Sequence, residues 1–327
     1  MEASALQEKI AQASQWTSEV RTEMHRVLVG QEALMDRLLL ALLSNGHVLL
    51  EGVPGLAKTL SVRALAGCLD VEFQRLQFTP DLLPADLLGT MIYNPQQAEF
   101  TTKRGPIFSN LILADEINRA PAKVQSALLE AMQERQVTLG ETSYALPDPF
   151  LVMATQNPID QEGTYPLPEA QLDRFLVKVV VDYPKREEER EILDLMATSA
   201  KPPETTACLD PAKLRESRAL VNQIYLDGSL RDYIVELIQT TRDPSRFAPE
   251  LAPLIRCGAS PRGTLALALS ARAQAFLAGR EFVIPEDIKD LAVDVLRHRV
   301  LLTYEAQAEE KDSQEIVQTL LSKVPVP

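Results

Sequence analysis

The feature that most constrains this chain is a short apolar run, His47 to Glu51 (HVLLE). It passes directly into Gly52-Val53-Pro54-Gly55-Leu56-Ala57-Lys58-Thr59 and then into a helical stretch that ends near Cys68. A strand, a glycine-bearing loop and a helix N-terminus in that order form a phosphate cradle, because backbone N–H groups and the helix dipole face the anion. In this reading Lys58 bridges β- and γ-phosphate oxygens, and Thr59 offers its hydroxyl to Mg2+. The generic pattern has glycine before the lysine, where this chain has Ala57. The expectation is that Ala57 lies inside the helix at negative φ, where alanine costs nothing.

The same texture recurs downstream. Glu72 to Phe78, Ser109 to Ala114, Phe150 to Ala154 and Leu176 to Val181 read as further strands, and Pro121 opens a helix running through Glu134. Strands separated by helical crossovers predict an α/β fold with a parallel five-stranded sheet covered on both faces. Ahead of it, Leu6, Ile10, Ala13, Trp16, Val20, Met24 and Val27 share one face of a single amphipathic helix. A second helix, Ala33 to Leu43, is expected to stop at Ser44-Asn45-Gly46, with the glycine supplying positive φ. After Asp182-Tyr183-Pro184 no strong strand signal remains. Helices are expected over 185–195, after Asp210-Pro211, and over about 230–241, 261–278, 285–297 and 313–323, with a break at Lys201-Pro202-Pro203. The chain of 327 residues thus divides into an α/β core over 1–183, including the N-terminal helix, and an all-helical part over 184–327.

Charge narrows the partners. Basic residues number 33 and acidic residues 46, so 33 minus 46 gives a net charge of −13. A surface that binds nucleic acid along its bulk wants a positive field, so nucleic acid is not an expected partner, although a local basic channel is compatible with the composition. Cys68, Cys208 and Cys257 are far apart in sequence and show no CxxC spacing, so free thiols in a reducing compartment are expected rather than a disulfide framework or zinc cage. His25, His47 and His298 form no ligand pattern. No signal peptide and no apolar run of about 18 residues occur, so no membrane insertion and a cytoplasmic location are expected.

Four further segments carry candidate chemistry. Leu111-Ile112-Leu113-Ala114-Asp115-Glu116 is an apolar strand ending in paired acids. Asp115 can orient the Mg2+ shell, and Glu116 can activate an attacking water as general base. Ala154-Thr155-Gln156-Asn157-Pro158 delivers Asn157 to the C-terminal sheet edge, where its amide can hold that water. Pro168 to Phe175 (PEAQLDRF) presents Arg174, which reads as an arginine finger toward a neighbouring subunit's γ-phosphate. Gly258-Ala259-Ser260-Pro261-Arg262-Gly263 places Arg262 at a helix start, from which it would reach back to the nucleotide phosphate of its own subunit.

The ordered set GVPGLAKT, LILADEINRAP, ATQNP, LPEAQLDRF and GASPRG resembles the MoxR family of AAA+ ATPases. The resemblance runs from Val29-Gly30-Gln31-Glu32 to at least Asp287. It implies an AAA+ P-loop NTPase core followed by a small all-α lid, with an insert at Asp81–Thr102 and a hairpin at Gln136–Leu146 turning at Gly140-Glu141. It implies that Lys58 and Thr59 belong to Walker A, Asp115 and Glu116 to Walker B, Asn157 to sensor one and Arg262 to sensor two. Val29, Gly30 and Gln31 would line the adenine, and Gly52 to Leu60 the phosphates, with Arg119 and Arg104 as second-choice interface arginines. It further implies ATP and Mg2+ as cofactors and a homo-oligomer, a hexamer, that remodels or matures client complexes, with metal-cofactor insertion as one such task. A client or adaptor with a von Willebrand factor A domain is the partner it suggests. No appended recruiting domain is expected. Two other readings remain: a DNA-directed AAA+ motor or loader, and a nucleotide-binding regulator that hydrolyses poorly. Acidity and the absence of a basic, aromatic-laced segment oppose the first, and Glu116 with Arg174 the second.

Overall fold

The computed structural model describes residues 2–53, 55–96, 98–157, 164–197 and 203–327. Pro54, Pro158 and the Lys201-Pro202 break lie outside the described residues. A parallel sheet forms the centre, in the order β2 (Phe73–Gln77), β5 (Leu111–Asp115), β8 (Leu151–Gln156), β1 (Val48–Glu51) and β9 (Val177–Val180). The five strands are those expected, each trimmed by a residue or two or extended at one end. Side chains alternate along them. Val48, Leu50, Leu111, Leu113, Met153 and Val177 enter one core with the N-terminal and C-terminal helices, while Leu49, Ile112, Ala114 and Val152 enter the other.

The first core is covered by α1 (Glu2–Ala13), α2 (Gln15–His25), α3 (Glu32–Leu43) and α4 (Lys58–Leu69). The single N-terminal helix expected from periodicity is two, broken at Ser14. Ser14 Oγ donates to the Ala11 carbonyl at 3.2 Å and Thr17 Oγ1 to the Ser14 carbonyl at 2.7 Å, so local side-chain bonds compete with the helix ladder. The end of α3 also differs in detail. Asn45, not Gly46, takes positive φ (51°). The N–H groups of Asn45 and Gly46 bond to the carbonyls of Leu42 and Ala41, closing the turn. Gly46 is small for another reason: a Cβ there would sit 2.7 Å from the Leu176 side chain.

The second core packs under α5 (Pro84–Leu88), α6 (Ala122–Glu134) and the second of two hairpins, the first of which exposes most of its apolar side chains. β3 (Gly89–Asn94) pairs with β4 (Glu99–Arg104), and β6 (Gln136–Leu139) with β7 (Thr142–Ala145), both antiparallel. They match the expected insert and hairpin, and Gly140 carries the turn at φ 64°.

A short helix, α7 (Glu169–Leu172), precedes β9. Beyond β9 come α8 (Arg186–Met196), α9 (Pro211–Val221), α10 (Gly228–Arg242), α11 (Pro261–Leu277), α12 (Pro285–Leu296), α13 (Tyr304–Ala308) and α14 (Ser313–Lys323). One departure from an all-helical reading is a minimal antiparallel pair, β10 (Ile255–Cys257) with β11 (Leu301–Leu302). It is too short to leave a period in the sequence. These helices share the first core with α1–α3: Trp16 Nε1 donates to Ser217 Oγ at 3.0 Å and Gln7 Nε2 to the Gly279 carbonyl at 2.7 Å. The thiols of Cys68 and Cys208, remote in sequence, touch across this core, and burial pushes Cys68 up to about 12. All three cysteines are free. Among the described residues no helix is long and apolar enough to cross a membrane.

Two buried histidines join the layers. Val152 N–H donates to His47 Nδ1 at 3.0 Å, which leaves Nε2 to donate to the Met132 carbonyl at 3.1 Å. Burial, then the nearby Arg135 charge, lowers His47 to about 3, and burial lowers His298 well below its ordinary value. Both are neutral when folded, so the unfolded chain binds the extra protons once pH falls below about 6.5. Their contribution to stability is therefore complete above that value and lost as pH falls toward the folded pKa. Thermal unfolding between pH 7.5 and 5.5 should show a falling midpoint. His47→Gln, though less stable overall, should show a shallower fall; parallel curves would refute the assignment.

Candidate active site

The site begins where β1 ends. Gly52 N–H reaches the Gln156 carbonyl at 3.4 Å, and a Cβ on Gly52 would lie 2.7 Å from the Val181 carbonyl, so only glycine lets the loop pass between β8 and the end of β9. Gly55 turns the loop at φ 90°. Ala57 then corrects the sequence reading. It sits at φ 56°, ψ 16°, left-handed, as the residue preceding α4. The loop needs one more left-handed step before the helix, and alanine takes it at a steric cost of about 1–2 kcal/mol. Its carbonyl still receives Ser61 N–H at 2.9 Å, so the helix starts on time.

Lys58 and Thr59 open α4, both half-buried, with Leu60 following and Leu56 buried beneath. Lys58 Nζ donates to the Gly52 carbonyl across the loop. Burial pushes its ammonium down, while Asp115, Glu116 and Glu51 pull it back up. Glu51 is itself held by Lys178 on β9 at 2.6 Å.

The paired acids stand at the end of β5, beside the loop. Thr155 Oγ1 donates to Asp115 Oδ1 at 2.7 Å and accepts Glu116 N–H at 2.8 Å, which locks the two strand ends together. Glu116 is left-handed (φ 56°), an uncommon conformation that marks a backbone held by its surroundings. Gln125, fully buried on α6, shapes the following turn by donating to the carbonyls of Ile117, Ala120 and Tyr165. Asn157 lies buried at the end of β8, beside these acids in sheet order.

Sequence reasoning missed the side chains that hold these acids. Arg75 on β2 grips Asp115 Oδ2 through Nη2 at 2.6 Å and Nε at 3.1 Å, and Gln77 Nε2 donates to Glu116 Oε2 at 2.8 Å. Arg119 pairs with Glu116 at 3.1 Å. Arg75 and Gln77 share one face of β2 and pair in register with Leu113 and Asp115. The signal was their alternation in FQRLQ; what the sequence lacked was the identity of the neighbouring strand.

A second group of candidates borders the loop. Val29 is buried, Gly30 backs onto the Glu188 carboxylate of α8, and Gln31 Nε2 reaches the Asp182 carbonyl at 3.3 Å. Hydroxyl and carboxylate oxygens from Thr59 and Asp115, at a phosphate cradle, are the hard donors that suit Mg2+, which takes one or two protein oxygens alongside phosphate.

The arginines lie elsewhere. β1 and β9 are parallel, with Val48 opposite Val177, so residues just before them mark the sheet edge opposite the loop, about 13 Å away along four residues of strand. Arg174 stands there, its Nη1 on the Leu129 carbonyl at 2.6 Å and its buried Nε without a partner among the described residues. Arg262 lines the same cavity of about 470 Å3, with His47, Arg135, Arg174 and Arg299, and donates to Gln133 Oε1 at 3.1 Å. The expectation that Arg262 reaches its own chain's phosphates is therefore corrected: it stands with Arg174, away from Lys58. The second-choice arginines are both engaged within the chain, Arg119 on Glu116 and Arg104 over the rings of Phe108 and Tyr144.

A glycine-bearing strand-to-helix loop, paired acids and a buried asparagine at one edge of a β2-β5-β8-β1-β9 sheet, followed by a helical domain, are the architecture of an AAA+ P-loop fold. Residues 47–177 match the ATPase family associated with various cellular activities, and residues 250–320 match the AAA lid domain. The chain is 48% identical over 306 residues to the chaperone MoxR1 of Mycobacterium tuberculosis, covering 93% of this chain and 81% of that one. It is 33% identical over 341 residues to the MoxR protein of Paracoccus denitrificans, covering 96% and 98%. The crystal structure of a candidate ATPase from Cytophaga hutchinsonii superposes with a TM-score of 0.93 at 48% identity, covering 100% of this chain and 99% of that one. The chain belongs to the MoxR family of AAA+ ATPases.

The left-handed Ala57 reverses what glycine would do there. Ala57→Gly removes a strained Cβ, at some cost in unfolded-chain entropy. The unfolding midpoint should hold or rise by about 1–3 °C, with nucleotide affinity retained; a clear fall in the midpoint would contradict the observed loop.

Proposed function

We propose that this chain is a Mg2+-dependent ATPase whose active sites form between copies of itself and whose hydrolysis drives remodelling or maturation of client protein complexes. The observation that carries this reading is the division of the machinery. Lys58, Thr59, Asp115, Glu116 and Asn157 gather at one sheet edge, and Arg174 and Arg262 at the other. One copy thus has the means to hold ATP, while Arg174 and Arg262 stand at its far edge, where they are offered to a neighbour. A homo-oligomeric ring, a hexamer in our reading, satisfies every copy. The functional units are a nucleotide core over 1–183 and a lid over 184–327.

In the proposed chemistry, Lys58 and the loop N–H groups hold the β- and γ-phosphates, and Val29 to Gln31 flank the base. Mg2+, when bound by Thr59 and Asp115 with the phosphates, would neutralise phosphate charge. Glu116 takes the proton of the attacking water, and Asn157 orients that water. Gln77 and Arg119 hold the Glu116 carboxylate, and withdrawing it into those bonds would idle the site. Arg174 swings from the Leu129 carbonyl to the neighbour's γ-phosphate, with Arg262 beside it. The chaperone name of the Mycobacterium relative supports client remodelling. A client or adaptor protein, including one with a von Willebrand factor A domain, and metal-cofactor insertion are consistent tasks. A net charge of −13 weighs against the DNA-directed alternative.

Single and mixed variants test the reading. Lys58→Ala should lose ATP binding, whereas Glu116→Gln should bind ATP and not hydrolyse it, because the first residue holds the ground state and the second acts on the transition state. Arg174→Ala should bind ATP near normally and hydrolyse it about 10³–10⁵ times more slowly. Mixed with Lys58→Ala, Arg174→Ala should recover activity, since an intact pocket can then adjoin an intact arginine. Arg262→Ala should recover in the same mixture. No recovery in rings shown to be mixed would rule out sites shared between copies.

A further inference from the structure

Arg174 and Arg262 come from distant parts of the chain, yet one carboxylate is tied to both. Asp173 directly precedes Arg174. Its Oδ1 accepts from Arg299 Nε at 2.8 Å and its Oδ2 from Ser260 Oγ at 2.6 Å. Ser260 caps α11 and accepts the Arg262 N–H at 3.0 Å. We propose that Asp173 is a positioning residue for hydrolysis: with Arg299 and Ser260 it makes Arg174 and Arg262 one rigid unit, presented together to the neighbouring copy's nucleotide. This rests on the reading of active sites shared between copies.

The lock is built to fix geometry. The Arg299 side chain is 2% exposed. Beyond Asp173 Oδ1 it donates to the carbonyls of Phe175 at 2.6 Å, Leu176 at 3.1 Å and Asp173 at 3.3 Å, and to that of Val295. His298 Nε2 also meets the Phe175 carbonyl at 3.1 Å. The backbone on both sides of Arg174 is therefore gripped by residues following α12, while the guanidinium itself keeps only the Leu129 carbonyl. A buried ion pair is a poor source of net stability, but a guanidinium that donates to one carboxylate oxygen and to four main-chain carbonyls specifies one arrangement. A displacement of about 1 Å at a transition-state contact can cost about 10²-fold in rate. A lid that moved independently of β9 would separate the two arginines; the Asp173 carboxylate couples them.

The test is steady-state hydrolysis by the full chain under assembling conditions. Asp173→Asn should lower kcat about 10²-fold and leave KM for ATP within roughly twofold. Ser260→Ala should lower kcat in the same direction, and Ser260→Thr, which keeps both bonds, should restore it. The double variant Arg174→Ala with Asp173→Asn should be slowed by far less than the product of the two single losses, because Asp173 acts through the arginines it positions. Mixing Asp173→Asn with Lys58→Ala should recover activity. A folded Asp173→Asn with unchanged kcat, a loss confined to KM, or full multiplicative slowing in the double variant would each overturn the proposal. If Asp173→Asn does not fold, wild-type kcat in Ser260→Ala overturns it and a loss rescued by Ser260→Thr supports it. Absence of recovery between Arg174→Ala and Lys58→Ala removes the shared-site reading itself, whereas recovery there with wild-type kcat in Asp173→Asn and Ser260→Ala removes only the role of Asp173.

Discussion

Hydrogen bonding of β1 on both sides governs the molecule. Val48 to Glu51 pair with Met153 to Gln156 on one flank and with Val177 to Val180 on the other. Because all three strands are parallel, their ends coincide. The C-terminal ends bring Gly52, Asn157 and Val181 together, and the N-terminal ends bring His47, Phe150 and Leu176 together. Four residues of strand therefore set both the opening through which the phosphate loop passes and the floor on which Arg174 rests. Apart from Val180 on β9, the apolar side chains of these strands are buried, on both faces of β1 and β8, so a slip of one residue would exchange the two cores.

Much of this arrangement is legible in the order of residues alone. Apolar strands alternating with amphipathic helices specify a parallel sheet, and GVPGLAKT and LILADE fall at strand ends, where phosphate and acid must meet. Legibility stops at contacts that depend on which strand lies beside which. Arg75 and Gln77 look like surface residues until β2 is placed next to β5, and only then do they face Asp115 and Glu116. Asp173 and Arg299 are separated by most of the helical domain, and no local pattern connects them. The position of Arg262 escapes the sequence for the same reason: its helix start is visible there, but the edge of the sheet it docks on is not.

Other differences are local and steric. Helix propensity alone would draw Ala57 into α4, whereas the loop geometry demands a left-handed step that alanine endures. Asn45 and Ser14 show the same competition at smaller scale: short polar side chains take positive φ or bond to nearby carbonyls, ending helices that hydrophobic period alone would continue. Two such overrides, at Ala57 and Glu116, stand where the chain turns sharply into the site.

On the shared-site reading proposed above, half-sites at opposite edges of one sheet restrict how copies can associate. A twofold pair joins the same patch on each partner, so it could seat an arginine edge against a loop edge only if one patch held both, and here they stand at opposite edges of the sheet. Only head-to-tail contact seats one against the other, and such contact leaves one unsatisfied loop edge and one unsatisfied arginine edge on any open chain of copies. The pitch of the contact alone then decides between a closed circle, in which every edge is used, and an endless helix. On the same reading, a small change in how α12 sits on β9 would alter that pitch, so the angle of the helical domain would set the symmetry of the assembly as well as the reach of its arginines.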